Sequence, residues 1–551
     1  MKKIFLYWHT VRHLKLIQVY SRLIFLVFRP IWTSTKINYT LRNSRSNWHS
    51  AIERAPSMMG PFEFKFLNNT HHLPSTGGWN DHTLDKLWLY NLHYFDDLNS
   101  SDSICRRTWH LPLIKRWIKE NYSVHGVGWD SYPTSLRIVN WIKWLMVENA
   151  NVSGMMDSLF VQANWLYRRI EVHLQGNHLF TNAKALVFAG LFFDGPRPKK
   201  WLETGLNIIE HQLPEQVLTD GGNFERSIMY HAIFLEDVMD LINVSLNYPE
   251  WVSDSQIRIW RDVALRMIKW LQTMTHPDGG FSFFNDTAFG IAPNLSELIA
   301  YAQRLKIYSD STYDKKVFRL QKITYLEASG YVRMESDRAV AILDVANIGP
   351  DYLPGHAHAD TLSFELSLFG QRVIVNGGTS CYGIGLQRTK ERGTAAHSTV
   401  EVAGNNSSEV WGGFRVARRA YPFDIDVSSM NGTLKVASSH NGYTRLSGSP
   451  VHRREWSMDT GILRIHDSVK GGSHLASARF IFHPHVKVLS VGNNSMHILL
   501  PLGQKALVNV LNGNLRLDLA SYAPEFGRIF STKCLVVDLI KGESQVLITW
   551  G

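Results

Sequence analysis

Cysteine is scarce: Cys105, Cys381 and Cys534 are the only three in 551 residues. An odd, sparse set makes no disulfide framework, and its spacing excludes a cysteine-based metal site. Long apolar runs are missing near the N-terminus as well. The cleanest stretch there, Leu23 to Phe28, is too short to span a bilayer and carries no small-residue cleavage site. No Lys/Arg block or zinc-finger spacing is present, so nucleic acid is not expected as a partner. A GxxxxGK[ST] phosphate loop and a GxSxG elbow are also lacking.

What remains is a chain long enough for two or more domains, with the 44% hydrophobic content ordinary for a globular protein. Aromatics are plentiful, with 18 Trp. Such rings pack helices, and they also form platforms for sugars. Lys and Arg exceed Asp and Glu by 58 to 48, a formal charge of +10. A basic surface attracts polyanions, whether nucleic acid, anionic lipid or acidic polysaccharide, without choosing among them. Lys2 and Lys3 precede apolar residues interrupted by His9, Arg12, His13, Lys15 and Arg22. This pattern predicts a basic amphipathic helix that packs on the protein or makes peripheral contact with a membrane.

Residues 1–85 read as this basic segment and a lead-in. From 86 to 325 the apolar spacing is helical, in segments such as Ser135 to Leu145, Trp165 to Leu174, Lys184 to Phe193, Ala232 to Leu246 and Val263 to Met274. Helix after helix with short loops predicts paired helices stacked as a bundle or toroid. Across 326–551 the period becomes two. Thr361 to Leu368 sets Leu362, Phe364, Leu366 and Leu368 on one face, and later strands include Ile462–Ile465, Arg479–Phe482, Lys487–Val491 and Leu535–Leu539. The expected fold is multidomain, α then β, the second part an antiparallel sandwich.

Four clusters carry polar chemistry: Gln175 to His178, Asp220 to His231, Gly355 to Asp360 and Ala396 to Val400. Taken singly they are bland. Asn177 beside Gly176 suits a cap or turn, Tyr230 suits a core aromatic, and a lone His-x-His such as His356 and His358 is weak evidence of a metal. Together they suit β-elimination from a uronate. The C5 proton beside a carboxylate is weakly acidic, so an amide such as Asn177, a His or a metal must tolerate the developing charge. A base takes the proton and an acid protonates the departing O4. Tyr and His can do both, and no nucleophile or redox cofactor is required.

In this order the clusters resemble the heparinase II/III family, to which alginate lyases are related. The resemblance rests on Gly355-His356-Ala357-His358-Ala359-Asp360, Val375-Asn376-Gly377-Gly378-Thr379, Ala396-His397-Ser398-Thr399-Val400, Leu89 to Phe95, Tyr132 to Arg137, Asn177-His178, and Glu225-Arg226-Ser227 through Tyr230. It covers roughly Trp88 to the C-terminus. It implies an incomplete (α/α) toroid followed by an antiparallel β-sandwich, with a cleft between them. It implies that Asn177 neutralises the carboxylate, Tyr230 is the catalytic acid and base, and His356 assists proton removal. His178, Glu225, Arg226 and His231 then line the cleft and bind substrate. His358, His397 and Asn376 take positions that hold a mostly structural zinc in some members, although no cofactor is required for the reaction. Two departures stand out. Asn376 replaces an expected Asp, and an amide oxygen is a poor zinc ligand. Ser398 replaces the Asn of a His-Asn-Thr run.

The expected activity is therefore a carbon-oxygen lyase acting on an acidic, uronate-containing polysaccharide. The expected location is the cell envelope, on the periplasmic side, although a clean signal peptide is missing. Two alternatives stay open: a non-catalytic carbohydrate-binding or polysaccharide-assembly protein on the same fold, and a glycoside hydrolase using two facing carboxylates, for which Glu225 and Asp360 are candidates by composition. Nothing in the pattern assigns an oligomeric state.

Overall fold

The computed structural model describes residues 2–28, 39–45, 47–148, 152–309 and 321–551. Residues 310–320, inside the stretch expected to be helical, lie outside the described residues.

Two short helices, α1 (Lys2–Val11) and α2 (Leu16–Val27), precede a three-stranded antiparallel sheet over Met58–Gly60, Glu63–Phe66 and Asn69–His72. Among the described residues nine α-helices follow: α3 (Lys86–Tyr94), α4 (Arg107–Glu120), α5 (Ser131–Glu148), α6 (Met155–Arg168), α7 (Gly176–Phe192), α8 (Pro196–Gln216), α9 (Ile228–Asn247), α10 (Asp254–Thr273) and α11 (Leu295–Arg304). They form two rows. The odd-numbered helices neighbour one another in sequence order, and α6, α8 and α10 pack against them from one side. The sequence explains the rows. Helices α7 and α9 are apolar nearly all round and are buried along most of their length, whereas α10 confines its apolar residues to one stripe.

Some boundaries differ from the sequence reading. Helix α6 stops at Arg168, so Leu174 belongs to the loop that leads into α7. Tyr325 lies in the strand Lys322–Leu326 rather than in helix. The run Lys-Ile-Thr-Tyr-Leu favours pleated structure and pairs with Tyr331–Glu335 across a tight turn.

The C-terminal half holds two large antiparallel sheets, of nine and eight strands. The first centres on Ala339–Asp344, Phe364–Leu368, Gln371–Val375 and Ala476–Phe482; the second on Val451–Asp459, Ile462–Lys470 and Glu543–Trp550. Phe364, Leu366, Phe480 and Leu535 from one sheet share a core with Trp456, Ile465, Val546 and Ile548 from the other. That is a sandwich. The strand expected from Thr361 begins only at Phe364, because the chain turns at Leu362 with φ +61°. Its opposite face is buried too. Glu365 and Ser367 meet His276 of the helical half, at 2.9 Å to Nε2 and 2.8 Å to Nδ1. Arg372 pairs with Asp278 at 2.7 Å, and Arg333 donates to the carbonyls of Thr273 and Thr275. These polar contacts lock sandwich to helices.

Candidate active site

The site is assembled from three elements. Helix α7 starts at Gly176 (φ +52°), preceded by Gln175 (φ +59°). Gly176 is required here: a Cβ would lie 2.4 Å from Leu353 Cδ2 and 2.9 Å from Glu225 Oε1. Asn177 then stands in the first turn of α7, half-buried, its backbone N–H donating to Glu225 Oε1 at 3.3 Å. Helix α9 is capped by Ser227, whose hydroxyl accepts the Tyr230 N–H at 3.2 Å and donates to the Asp286 carbonyl. This cap aims Tyr230 from the first turn of α9. The third element is the loop between the strands ending at Asp344 and starting at Phe364, which carries His356 and His358.

The Tyr230 ring stacks on His356 with centroids 3.7 Å apart. His356 Nδ1 lies 3.0 Å from Asp286 Oδ2, and Nε2 lies 3.4 Å from Glu225 Oε2. Asp286 is fully buried. Burial works against its charge, but the Arg388 guanidinium and the bonds from His356 and His358 overcome this and hold the carboxyl well below the usual range. It is a fixed anion. It holds the His356 ring through Nδ1, and Nε2 faces Glu225 Oε2. Burial pushes the Glu225 carboxyl up, opposed by His356. Glu225 thus ties the start of α7 to His356.

The Tyr230 hydroxyl lies 3.0 Å from the Tyr382 hydroxyl. Burial, then Tyr382, raises its pKa well above 10, so it is held protonated. His178 faces Glu171 at 3.1 Å and the Tyr132 ring at 4.6 Å; burial lowers its pKa, but Glu171 outweighs this and the net shift is upward.

The structure brings together Asn177, His178, Glu225, Tyr230 and His356. It takes two other expected substrate-binding residues away. Arg226 spends its guanidinium on the carbonyls of Ser329 and Asn347, at 2.9 and 3.0 Å, and so pins α9's entry loop to the sandwich. His231 is fully buried: Nε2 meets the Met267 carbonyl at 3.0 Å, Nδ1 accepts the Asn223 N–H at 3.2 Å, and the ring stacks on Trp270. Its neighbour in sequence faces the cleft, but one residue along a helix turns the side chain by about 100°.

The trio His358, His397 and Asn376 does not fit a zinc site. His358 Nδ1 and His397 Nε2 are 3.2 Å apart, close enough to share a ligand, but His358 Nε2 is engaged by Asp286 at 2.8 Å. Asn376 faces elsewhere. Its amide oxygen accepts the Ser398 N–H at 2.9 Å and its nitrogen reaches Ser363 Oγ at 3.3 Å. Among the described residues no group of three His, Cys, Asp or Glu side chains is placed to hold a metal ion.

Three residues of the site were not singled out from the sequence: Asp286, Tyr382 and Arg388. Asp286 sits in an irregular stretch with no periodicity, and Arg388 in the short helix α12 (Leu386–Glu391) is 102 residues away from it. The one available signal was the polar run Asn285-Asp286-Thr287 between apolar neighbours.

The comparisons with known proteins agree with this architecture. Residues 115–314 match the model described as heparinase II/III N-terminus, and residues 319–549 the model described as heparinase II/III-like, C-terminal. A heparin-sulfate lyase of Bacteroides stercoris is 23% identical over 258 residues, covering 44% of this chain and 38% of that protein. One from Pedobacter heparinus is 28% identical over 254 residues, covering 42% and 37%. The matches thus span well under half the length of these curated relatives. The crystal structure of heparinase III aligns with a TM-score of 0.70 at 15% identity, covering 96% of this chain and 88% of that one. A heparan sulfate lyase HepC mutant from Pedobacter heparinus aligns at 0.61 and 16%, covering 89% and 81%. At such identities the structural likeness is one of fold.

Proposed function

The chain belongs to the heparinase II/III family, and from that premise we propose that it is a polysaccharide lyase cleaving an acidic, uronate-containing polymer by β-elimination. The observation that carries this reading is the stack of Tyr230 on His356, with the two side chains held in opposite roles. The two-row helical array also supports reading the first domain as an incomplete (α/α) toroid.

In this reading the uronate carboxylate lies against the Asn177 amide, which makes no side-chain hydrogen bond among the described residues, and charge developing on it is stabilised there. His356, oriented through Nδ1 by Asp286, takes the C5 proton on Nε2, which lies 3.4 Å from Glu225 Oε2 in the free chain. The C5–H electrons form the C4–C5 double bond as the C4–O4 bond breaks. The pair goes to O4, which takes the proton of Tyr230. Tyr382, hydrogen-bonded to Tyr230, aligns that hydroxyl. These steps use only side chains of the chain, so a divalent cation is not part of the proposal.

The hydrolase alternative is less well supported. Glu225 is engaged with Asn177 and His356, and Asp360 is buried behind Asn285, whose N–H it accepts at 2.9 Å. Neither carboxyl is free to face the other across a glycosidic bond. An envelope or periplasmic location goes with the acidic polymer class.

The test is incubation of the purified protein with a panel of uronate polymers while ultraviolet absorbance follows the conjugated C4–C5 double bond. A rise that is lost in Tyr230→Phe is expected. New reducing ends without absorbance would replace the lyase with a hydrolase, and polymer binding with neither signal would leave a binding or assembly protein.

A further inference from the structure

Helices α1 and α2 are inside out by the rule for surface helices. Helices on a globular protein turn apolar residues inward and polar ones to water. Here the inward seam is largely polar. Thr10 Oγ1 accepts the Trp411 indole N–H at 3.1 Å and lies 3.2 Å from the Val416 carbonyl, its own proton facing the Leu6 carbonyl at 2.7 Å. Gln18, the one buried residue of α2, donates to the Tyr352 carbonyl at 3.2 Å. Lys15 pairs with Glu215 and lies over the Tyr352 ring. The outward face carries Ile4 at 72% exposure, Trp8 at 65%, Leu16 at 87%, Leu23 at 59% and Val27 at 84%. Isolated exposed apolar residues are unremarkable, but a contiguous run over two adjacent helices marks an interaction surface.

Charge selects the occupant. Lys2, Lys3, Arg12, Lys15 and Arg22 lie in this segment, and no Asp or Glu occurs before Glu53. Large apolar side chains with Trp and Tyr among them, flanked by cations alone, are what the boundary of an anionic bilayer takes up. Neither helix crosses it: no helix among the described residues is long and apolar enough to span a membrane, and at 10 and 12 residues they reach only about 15–18 Å. We propose that α1 and α2 lie in the surface of an anionic lipid membrane and seat the whole enzyme there.

The two helices also bridge the two domains beside the candidate site. Helix α1 packs Tyr7 on Trp411 of the sandwich, and α2 packs Phe25 on His173 and Arg169 of the helical half. His173 lies four residues before Asn177, and Tyr352 four before His356. A bilayer seated on the outer face therefore lies next to the cleft, so the docking would present a surface-held polymer to the site.

The experiment is flotation of the full chain with phosphatidylcholine vesicles, with and without about one third phosphatidylglycerol, alongside sedimentation equilibrium without lipid. The wild type is expected to float with the anionic vesicles, less so as salt is raised. Ile4→Ser/Leu16→Ser/Leu23→Ser/Val27→Ser, all at exposed positions, should lower vesicle binding roughly tenfold or more, with circular dichroism unchanged. Lys3→Ser/Arg12→Ser/Arg22→Ser should remove the preference for anionic vesicles. Absence of flotation with either vesicle would overturn the proposal. So would a wild-type dimer that the apolar quadruple variant disperses without any vesicle binding, since the face would then be an interface between two copies. Both readouts are independent of turnover, so the lyase reading can fail while this one holds.

Discussion

Asp286 joins the two histidines of the Gly355 to Asp360 run: its Oδ2 lies 3.0 Å from His356 Nδ1 and its Oδ1 lies 2.8 Å from His358 Nε2. One buried carboxylate, held ionised by Arg388, thereby holds both rings. Replacing it by Asn keeps the shape but removes the charge, leaving Arg388 buried without a counterion. Asp286→Asn is expected to lower stability by about 3–5 kcal/mol, read as a lower denaturant midpoint, and to depress turnover as His356 loses its orienting charge. An unchanged midpoint would mean that Arg388 is not held by this pair.

Tyr230→Phe removes one hydroxyl and leaves the ring on His356. Turnover should fall by roughly 10²–10⁴, with stability changed by no more than about 1.5 kcal/mol. Tyr382→Phe removes only the hydrogen bond that aligns Tyr230, and a smaller loss, on the order of tenfold, is expected. Initial rates of double-bond formation compare the two; equal losses would give Tyr382 a direct part in proton transfer.

His231 is neutral in the fold, its pKa pushed down to about 3 by burial, the Met267 carbonyl opposing. The unfolded chain takes up that proton near pH 6.5 and the native chain only near 3. Stability therefore falls as pH drops through this window, by an amount on the order of 4 kcal/mol at its lower end. Denaturant titrations from pH 7 to 4 should show a shallower acid slope in His231→Gln than in the wild type. Equal slopes would mean that the ring is protonated in the native state.

Chelation should leave both melting temperature and activity of the wild type unchanged, because Asn376 turns its amide to Ser398 and Ser363. Asn376→Asp loses the donor to Ser363, at a cost of about 1–3 kcal/mol, and its carboxylate stays turned to Ser398 and Ser363, away from His358 and His397. Excess zinc should raise the melting temperature of neither the variant nor the wild type. A zinc-dependent rise in the wild type would restore the metal to this site.

The order of elements was legible because burial imposes a period on the sequence. Helical spacing marked the segments of α5, α7, α9 and α10, and alternation marked the strands around Ile462 and Leu535. It failed where local pattern and local conformation part. Leu174 keeps the apolar spacing of α6 after the helix has ended, and Leu362 keeps the alternation of a strand while its backbone sits at φ +61°. Among the site residues, His231 was grouped with Tyr230 by proximity in sequence, yet the helix sends it into the core against Trp270.

The sequence by itself offered Asn177, Tyr230 and His356 as candidates for proton transfer, because their clusters, bland singly, together resemble one family. It also determined that the N-terminal segment is basic and apolar. Only the tertiary structure decided what state those side chains are in. Tyr382 is 152 residues from Tyr230, and Asp286 is 70 from His356. Protonation and tautomer depend on burial and on charges within a few ångströms, and chain separation carries no information about either. The same holds for α1 and α2: composition showed both kinds of residue, and only docking through Thr10 and Gln18 showed that the apolar kind faces outward.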